Sequence, residues 1–218
     1  MTENSDDSFK IEGDGFNVLH SEIKAREFHP GIHILGGMGN STAIETDLGF
    51  VLIDTGMNKA MAAGFMQAMR QIKDIPVHTI VYSHGHGGYN NAAWHFLEVA
   101  KNNGEPAPQI VAHENLPIRY HRFDATWELQ GYLAAIQFRV PPEVMKKPSY
   151  TFPTITFRDK LRLNIGNRAV EVIWAPSETD DSVAVWLPDE KLLYSGPSVI
   201  ASCINIGTPL RTQRNDVR

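Results

Sequence analysis

The fold is decided by residues 77–89, VHTIVYSHGHGGY, where a nearly continuous apolar run leads into two histidines separated by glycine. Such a run, bounded by glycine and polar residues, is typical of a strand buried on both faces of a sheet. Because side chains alternate along an extended segment, His84 and His86 can point the same way. Neutral imidazole is a common zinc ligand, and the glycines let the loop wrap closely around a small object. The alternative interpretation is a pair of ordinary turn histidines.

Two acidic residues elsewhere in the chain also follow strand-like runs. Asp54 comes after the apolar run FVLI, and a carboxylate there can orient a metal-bound loop without touching the metal. Glu178, in the segment PSET, can supply a third ligand, because zinc accepts a carboxylate oxygen and three protein ligands leave a position for water. The alternatives are a turn or cap residue for Asp54 and a solvated loop charge for Glu178.

The pattern of apolar residues predicts alternating helices and strands. Strands are predicted in the segments GIHILGG, STAIETDLGFVLIDTG (two runs around a turn at Asp47-Leu48-Gly49), VHTIVYS, PQIVAHE, TITF, KLRLNIGNRAVEVIWA and SVAVWLPDEKLLYSG. Helices are predicted from an Asn58 cap to Lys73, over residues 90–100 and over residues 115–138, with a proline-rich loop over residues 141–153. This mixed order predicts an α+β fold, a sheet sandwich with helices outside it.

Length and composition limit the class of protein. The 218 residues fit one domain, 1–218, with a disordered polar start at residues 1–10. A formal charge of −5 without a basic stripe argues against nucleic-acid binding. Cys203 is the single cysteine, so no internal disulfide can form. No secretory signal and no membrane span are visible, which predicts a cytoplasmic protein.

The segments FVLIDTG, IVYSHGHGG and APSETDDSVAVWLPDEKLLYSG together resemble the metallo-β-lactamase superfamily. Within it the chain is similar to the alkylsulfatase-like branch, which shares the opening GNSTAI at residues 39–44, the acid at Glu178 and a helical insert like AHENLPIRYHRFDATWELQGY, from Ala112. The resemblance implies a four-layered αββα sandwich. The second half of that sandwich ends early here, so we expect either that a C-terminal element is missing or that another chain, as in a homodimer, covers the exposed apolar face.

The resemblance also implies a site. His84, His86 and Glu178 match the ligands of the family's first metal, and Asp54 matches the acid that holds the site loop. A single zinc ion on those ligands would lower the pKa of its water to about 7, and the resulting hydroxide would attack an ester, with a sulfate ester the best match. The second metal site is lost, because the family's Asp, His and bridging acid are replaced by Gly88, Tyr89 and Pro197.

Four further residues are candidates for a role in the reaction. Asp181, beside Asp180, can act as a base or substitute ligand, although an exposed loop carboxylate is the alternative. Tyr89 can donate a hydrogen bond to a substrate oxyanion, or it can fill the space of the lost metal. Asn205 and Arg211 resemble the Asn and Arg that contact sulfate in the alkylsulfatase-like branch. Arginine suits an oxyanion because its guanidinium can donate two parallel hydrogen bonds.

These features predict a metal-dependent hydrolase of a small-molecule ester. A different class of function stays open, namely a catalytically inactive relative that binds a ligand or partner on the old active-site face. A truncated gene product with no settled function is the third possibility. His113 could face the site, although a core or capping role is the alternative.

Overall fold

The structure is a computed structural model that describes residues 23–36, 40–200 and 203–204. The predictions for Asn205, Arg211 and residues 1–10 lie outside the described residues. The chain forms two compact units, and we call unit 1 Met1–Val81, Gly88–Pro108 and Ile165–Asn167, and unit 2 Tyr82–Gly87, Gln109–Asn164 and Arg168–Arg218. The single domain 1–218 stays a prediction.

Unit 1 holds the first five strands, paired in chain order. They are β1 (Arg26–His29), β2 (Ile32–Ile34), β3 (Thr42–Ile44), β4 (Phe50–Ile53) and β5 (Val77–Val81). The first four are antiparallel, whereas β4 and β5 are parallel. The predicted turn at 47–49 joins β3 to β4, and the Thr46 hydroxyl donates to the Gly49 carbonyl at 2.6 Å. β1 was not predicted, because most of it is exposed and it has no apolar alternation.

Helix α1 (Lys59–Ile72) makes the crossover between β4 and β5, as parallel strands require. Asn58 caps it, accepting from the Met61 amide at 3.0 Å, so the predicted start is confirmed. Its apolar stripe is largely buried. Helix α2 (Ala93–Asn103) begins three residues after the predicted Asn90 and ends at Gly104, whose φ of 69° suits glycine.

Unit 2 holds the remaining strands, except for the last residue of β8. They are β6 (Gln109–His113), β7 (Ile155–Phe157), β8 (Lys160–Ile165), β9 (Arg168–Trp174), β10 (Val183–Leu187), β11 (Leu192–Tyr194), β12 (Val199–Ile200) and β13 (Cys203–Ile204). β6 and β7 are parallel, β12 and β13 form a hairpin, and the other four form a sheet in the order β11-β10-β9-β8. β9 and β10 are antiparallel and mostly buried, so they form the centre of this sheet.

The predicted single helix over residues 115–138 is wrong, because the structure divides it into α3 (Asn115–Ala125) and α4 (Trp127–Phe138). The break falls at Thr126, whose hydroxyl donates to the Arg122 carbonyl at 2.8 Å. The Thr126 amide also donates to that carbonyl at 3.0 Å, and the helix is interrupted by the Thr126 backbone angles, φ −113° and ψ 24°.

Helices and mixed sheets in both units confirm the α+β class. The predicted loop over residues 141–153 is confirmed, with one 3-10 turn at Pro142–Val144. Stacking of Tyr120 on Tyr150, with ring centroids 4.5 Å apart, holds this loop against α3. Among the residues that the structure describes, no helix has both the length and the apolar character to cross a bilayer.

Candidate metal centre

Two loops of unit 2 carry the residues predicted to bind metal. The first loop leaves the strand region at Tyr82, whose amide donates to the Val111 carbonyl at 2.9 Å. The Val183 amide donates to the Ser83 carbonyl at 2.8 Å, which ties the start of the loop to β10. The second loop, residues 175–182, joins β9 to β10 and carries Glu178. Backbone bonds thus bring the two loops to the same place in unit 2.

The structure brings His84, His86 and Glu178 together. The Glu178 carboxylate lies 2.9 Å from His86 Nδ1 through Oε1 and 3.9 Å from His84 Nε2 through Oε2. One ligand atom from each of the three side chains lies within 4.8 Å of the others. Glu178 is only 9% exposed, so its interpretation as a solvated loop charge is wrong. The histidines likewise belong to a cluster and are not ordinary turn residues.

Electrostatics keep the His84 ring neutral. Burial lowers its pKa from 6.5 to about 4, an effect that the Asp181 charge opposes and the His86 ring reinforces. The Ser83 hydroxyl lies 2.8 Å from His84 Nδ1, and a proton on Nδ1 can be donated to that oxygen. This tautomer leaves a lone pair on Nε2, the nitrogen that faces Glu178. At neutral pH, therefore, no proton competes with a cation for His84.

The donor set fits a zinc ion. Tetrahedral zinc with ligands at about 2.1 Å places neighbouring ligand atoms about 3.4 Å apart. The two separations that involve Glu178, 2.9 and 3.9 Å, lie on either side of that value, and all three ligand atoms lie within 4.8 Å of one another. Two imidazoles and one carboxylate also leave one tetrahedral position for water or substrate. The residues of the first site therefore suit the metal that the sequence predicted.

The positions matched to a second metal do not suit one. Gly88 is buried, has no ligand atom and has a φ of 101°, a conformation that L side chains rarely adopt. Pro197 is buried in the 3-10 turn Gly196–Ser198. Tyr89 contributes its carbonyl, which accepts from the amides of Thr55 at 3.0 Å and Gly56 at 2.7 Å. The role of the Tyr89 side chain toward substrate stays a prediction.

Asp54 directly follows β4 in unit 1, as predicted, and is buried. Its φ of 62° is left-handed, which is uncommon for a residue with a side chain, and such residues cluster at functional sites. Its amide donates to the Val81 carbonyl at 3.0 Å. Its Oδ1 accepts from Nδ2 of Asn90, which precedes α2, at 2.7 Å. A role for Asp54 in orienting the metal loop stays a prediction.

The structure contradicts the interpretation of Asp180 and Asp181 as exposed loop carboxylates, since they are 4% and 0% exposed. Asp181 accepts from Arg119 Nε at 2.8 Å through Oδ1 and from the Gly85 amide at 2.7 Å through Oδ2. The same guanidinium also donates to Asp180 Oδ1. With a donor on each oxygen, Asp181 is arranged as an anchor, and its proposed action as a base stays a prediction.

Arg119 is the residue of this network that the sequence did not single out. It lies in α3 and is 5% exposed, which is unusual for arginine unless it is paired. A signal was present, because Leu116, Arg119 and Tyr120 fall at helical spacing and all three are buried. An arginine on the apolar stripe of a helix indicates a buried acidic partner.

His113 has the core role rather than a ligand role. Its ring stacks on Trp174 at 5.2 Å between centroids and meets Phe157 edge-on at 5.8 Å. Burial lowers its pKa. Trp174 has a polar function as well, because its Nε1 donates to the Asp180 carbonyl at 2.8 Å. This aromatic stack thus supports the loop that carries Glu178.

Comparison with known proteins gives concordant results. A family model described as the metallo-β-lactamase superfamily matches residues 34–210. A linear primary-alkylsulfatase of Pseudomonas sp. (strain ATCC 19151) is 28% identical over 176 residues, which cover 70% of this chain and 32% of that protein. The chain therefore spans about a third of the length of this curated relative.

Two solved structures show likeness of fold. A stereoselective inverting sec-alkylsulfatase from Pseudomonas sp. aligns with a TM-score of 0.61 and 20% identity over 78% of this chain and 30% of its own. A metallo-β-lactamase family protein from Thermus thermophilus aligns with a TM-score of 0.60 and 17% identity over 89% of this chain and 64% of its own. At these identities the alignments establish the architecture.

Proposed function

This chain belongs to the metallo-β-lactamase superfamily, and we propose that it is a metal-dependent hydrolase that cleaves an ester with one zinc ion. The ion would be held by His84, His86 and Glu178. The observation that carries the proposal is the convergence of these three side chains, whose ligand atoms lie within 4.8 Å of one another. Their types and spacing suit a catalytic zinc site with one open position.

The chemistry divides between the metal and the chain's own residues. When bound, zinc lowers the pKa of a water to about 7 and polarises an ester oxygen. His84 offers a neutral Nε2 lone pair because burial lowers its pKa to about 4. The Ser83 hydroxyl holds the ring orientation through Nδ1 at 2.8 Å. Glu178 supplies the negative charge that offsets the cation at the site.

We propose a sulfate ester as the substrate class. The support is likeness in sequence to a linear primary-alkylsulfatase and in fold to a sec-alkylsulfatase. In this proposal Asn205 and Arg211 hold the sulfate oxygens, and Tyr89 donates a hydrogen bond to a developing oxyanion. Arginine fits an oxyanion best because its planar guanidinium presents several N–H groups at once.

The test combines metal content with turnover. Metal-depleted protein is loaded with Zn²⁺, dialysed, and assayed on an alkyl sulfate, an aryl sulfate and a carboxylic ester. We expect one zinc per chain and turnover of at least one sulfate ester. Glu178→Gln and His86→Asn should lose both, whereas Glu114→Gln, which removes an exposed ion pair with Arg158, should keep both. A parent that retains no zinc and hydrolyses none of these substrates overturns the proposal.

A second candidate function, ligand or partner binding by an inactive relative, is favoured by Gly88, Tyr89 and Pro197. These residues replace the ligands of a second metal. The discriminating variant combines Gly88→Asp, Tyr89→His and Pro197→Glu. A parent that hydrolyses an ester at least as fast as this variant excludes the second candidate, whereas turnover gained by the variant over an inactive parent supports it.

A further inference from the structure

We infer that Arg119 is a positioning residue of the metal centre, which acts by holding Asp181 on the Gly85 amide. This contact fixes the loop that carries Glu178 against the loop that carries the two histidines. The inference rests on the proposed function, because it states how the proposed ligands are kept close together before a cation binds.

Arg119 donates hydrogen bonds to two consecutive carboxylates, those of Asp180 and Asp181. Its Nε donates to Asp181 Oδ1 at 2.8 Å, while a terminal nitrogen donates to Asp180. A guanidinium can do this because its donors lie in one rigid plane, whereas the ammonium of lysine is a compact point charge. Arg119 comes from α3, so a helix outside both loops sets the position of the acidic pair.

Asp181 also contacts the loop that carries the two histidines. Asp181 uses its other oxygen, Oδ2, to accept the Gly85 amide at 2.7 Å. Gly85 lies between the two proposed histidine ligands and is buried. A Cβ on Gly85 would lie 2.6 Å from Asp181 Oδ2 and 2.7 Å from Arg119 Cδ. A side chain at this position would push the network away, because Asp181 and Arg119 pack directly on the backbone between the ligands.

The loop that carries Glu178 is also held by hydrogen bonds that do not involve Arg119. The Asp180 carbonyl accepts from Trp174 Nε1 at 2.8 Å and from Asn115 Nδ2 at 3.2 Å. The hydroxyls of Thr179 and Ser182 lie 2.8 Å apart and close the turn. Removing the Arg119 side chain should therefore release Asp181 from Gly85 without unfolding the loop.

A purely structural ion pair is the competing explanation. A buried ion pair is weak support for stability, because desolvation offsets much of the attraction. Here the acidic end of the pair reaches both segments that carry ligands, since Asp181 is three residues from Glu178 and accepts from the Gly85 amide. Outer partners of metal ligands typically change metal affinity by about 10- to 100-fold. That effect distinguishes positioning from general stability.

The experiment uses Arg119→Met and Arg119→Lys in the full chain. Arg162→Met is the matched control, because Arg162 also pairs with a carboxylate of unit 2, Glu171, but is exposed. The first measurement is hydrogen exchange of the Gly85 amide in metal-free protein. The second is zinc affinity by chelator competition, with the visible absorption of bound Co²⁺ as a signature of ligand geometry.

We expect both Arg119 variants to lose protection at Gly85 while the amides of β10 keep theirs. Zinc affinity should fall about 10- to 100-fold. Lysine should not rescue, because the positioning needs two donors in one plane and not a charge alone. If Arg119→Met does not fold, Arg119→Lys and Asp181→Asn decide the question with the same two measurements.

The outcomes separate the inference from the proposed function. Folded Arg119 variants with the parent's zinc affinity, or with the parent's exchange at Gly85, overturn the inference and leave the hydrolase proposal standing. Full rescue by lysine also overturns it. A parent that binds zinc with Arg119-dependent affinity but hydrolyses no ester supports the inference and overturns the proposed function. A parent that binds no zinc overturns both.

Discussion

Protonation of His84 should make the metal-free protein acid-sensitive in a defined pH window. The folded-state pKa is about 4, because burial opposes the charged ring, whereas an unfolded histidine titrates near 6.5. Between these values the unfolded chain binds a proton that the folded chain does not. The stability is therefore fully present above pH 6.5 and is lost as the pH falls toward 4.

The magnitude follows from the difference between the two pKa values. Each pH unit corresponds to about 1.36 kcal/mol, so the folded chain loses about 3 kcal/mol relative to the unfolded chain across the window. His84 is 1% exposed, so solvent screening does not diminish this effect. The loss should be visible, because a domain of this size has only about 5–15 kcal/mol of net stability.

The assay is urea unfolding in the presence of a chelator at several pH values from 8 to 4. The parent is compared with His84→Asn, and His121→Gln, which removes an exposed ring, is the control. The free energy of unfolding of the parent should fall toward acid by about 3 kcal/mol more than that of His84→Asn. Parallel curves for parent and variant between pH 7 and 4 would refute the account of the buried neutral ring.

Four further substitutions, at three positions, test the backbone. Gly85→Ala should lower stability by about 1–3 kcal/mol in thermal unfolding and weaken zinc binding, since its Cβ would lie 2.6 Å from Asp181 Oδ2. Gly88→Asp should lower the free energy of unfolding by about 1–3 kcal/mol in urea titrations, because Gly88 has a φ of 101°. Asp54→Asn should unfold near the parent's melting temperature, because asparagine tolerates the φ of 62°. Asp54→Ala should lower stability by about 1–3 kcal/mol in the same measurement, because alanine also removes the acceptor of the Asn90 amide.

The elements with a strong local signal were predictable from sequence. Asn58 caps α1, and a continuous apolar run marks β5, as expected. The break at Thr126 was missed because the apolar pattern continues across it and no proline or glycine stands there. β1 was missed because its pairing with β2 is set by the sheet rather than by its own exposed residues.

Some residues of the candidate site were also predictable from sequence, and one was not. His84, His86 and Glu178 could be proposed from residue type and strand position, although they are far apart in the chain. Arg119 could not be assigned to the site, because nothing local shows which acid a buried arginine will meet. Its pairing with Asp181 joins positions 62 residues apart and depends on how α3 packs.

The two metal positions of the family differ here in the backbone as well as in side chains. The residues matched to the first metal lie on two loops that Asp181 joins through the Gly85 amide, and their ligand atoms lie within 4.8 Å of one another. The second set would need an Asp where Gly88 has a φ of 101° and an acid where Pro197 lies in a 3-10 turn. Side-chain replacement alone would place the new acids on backbone that does not favour them. Among the residues that the structure describes, metal binding should therefore depend on the first site, and removal of Glu178 should not be compensated by Gly88, Tyr89 or Pro197.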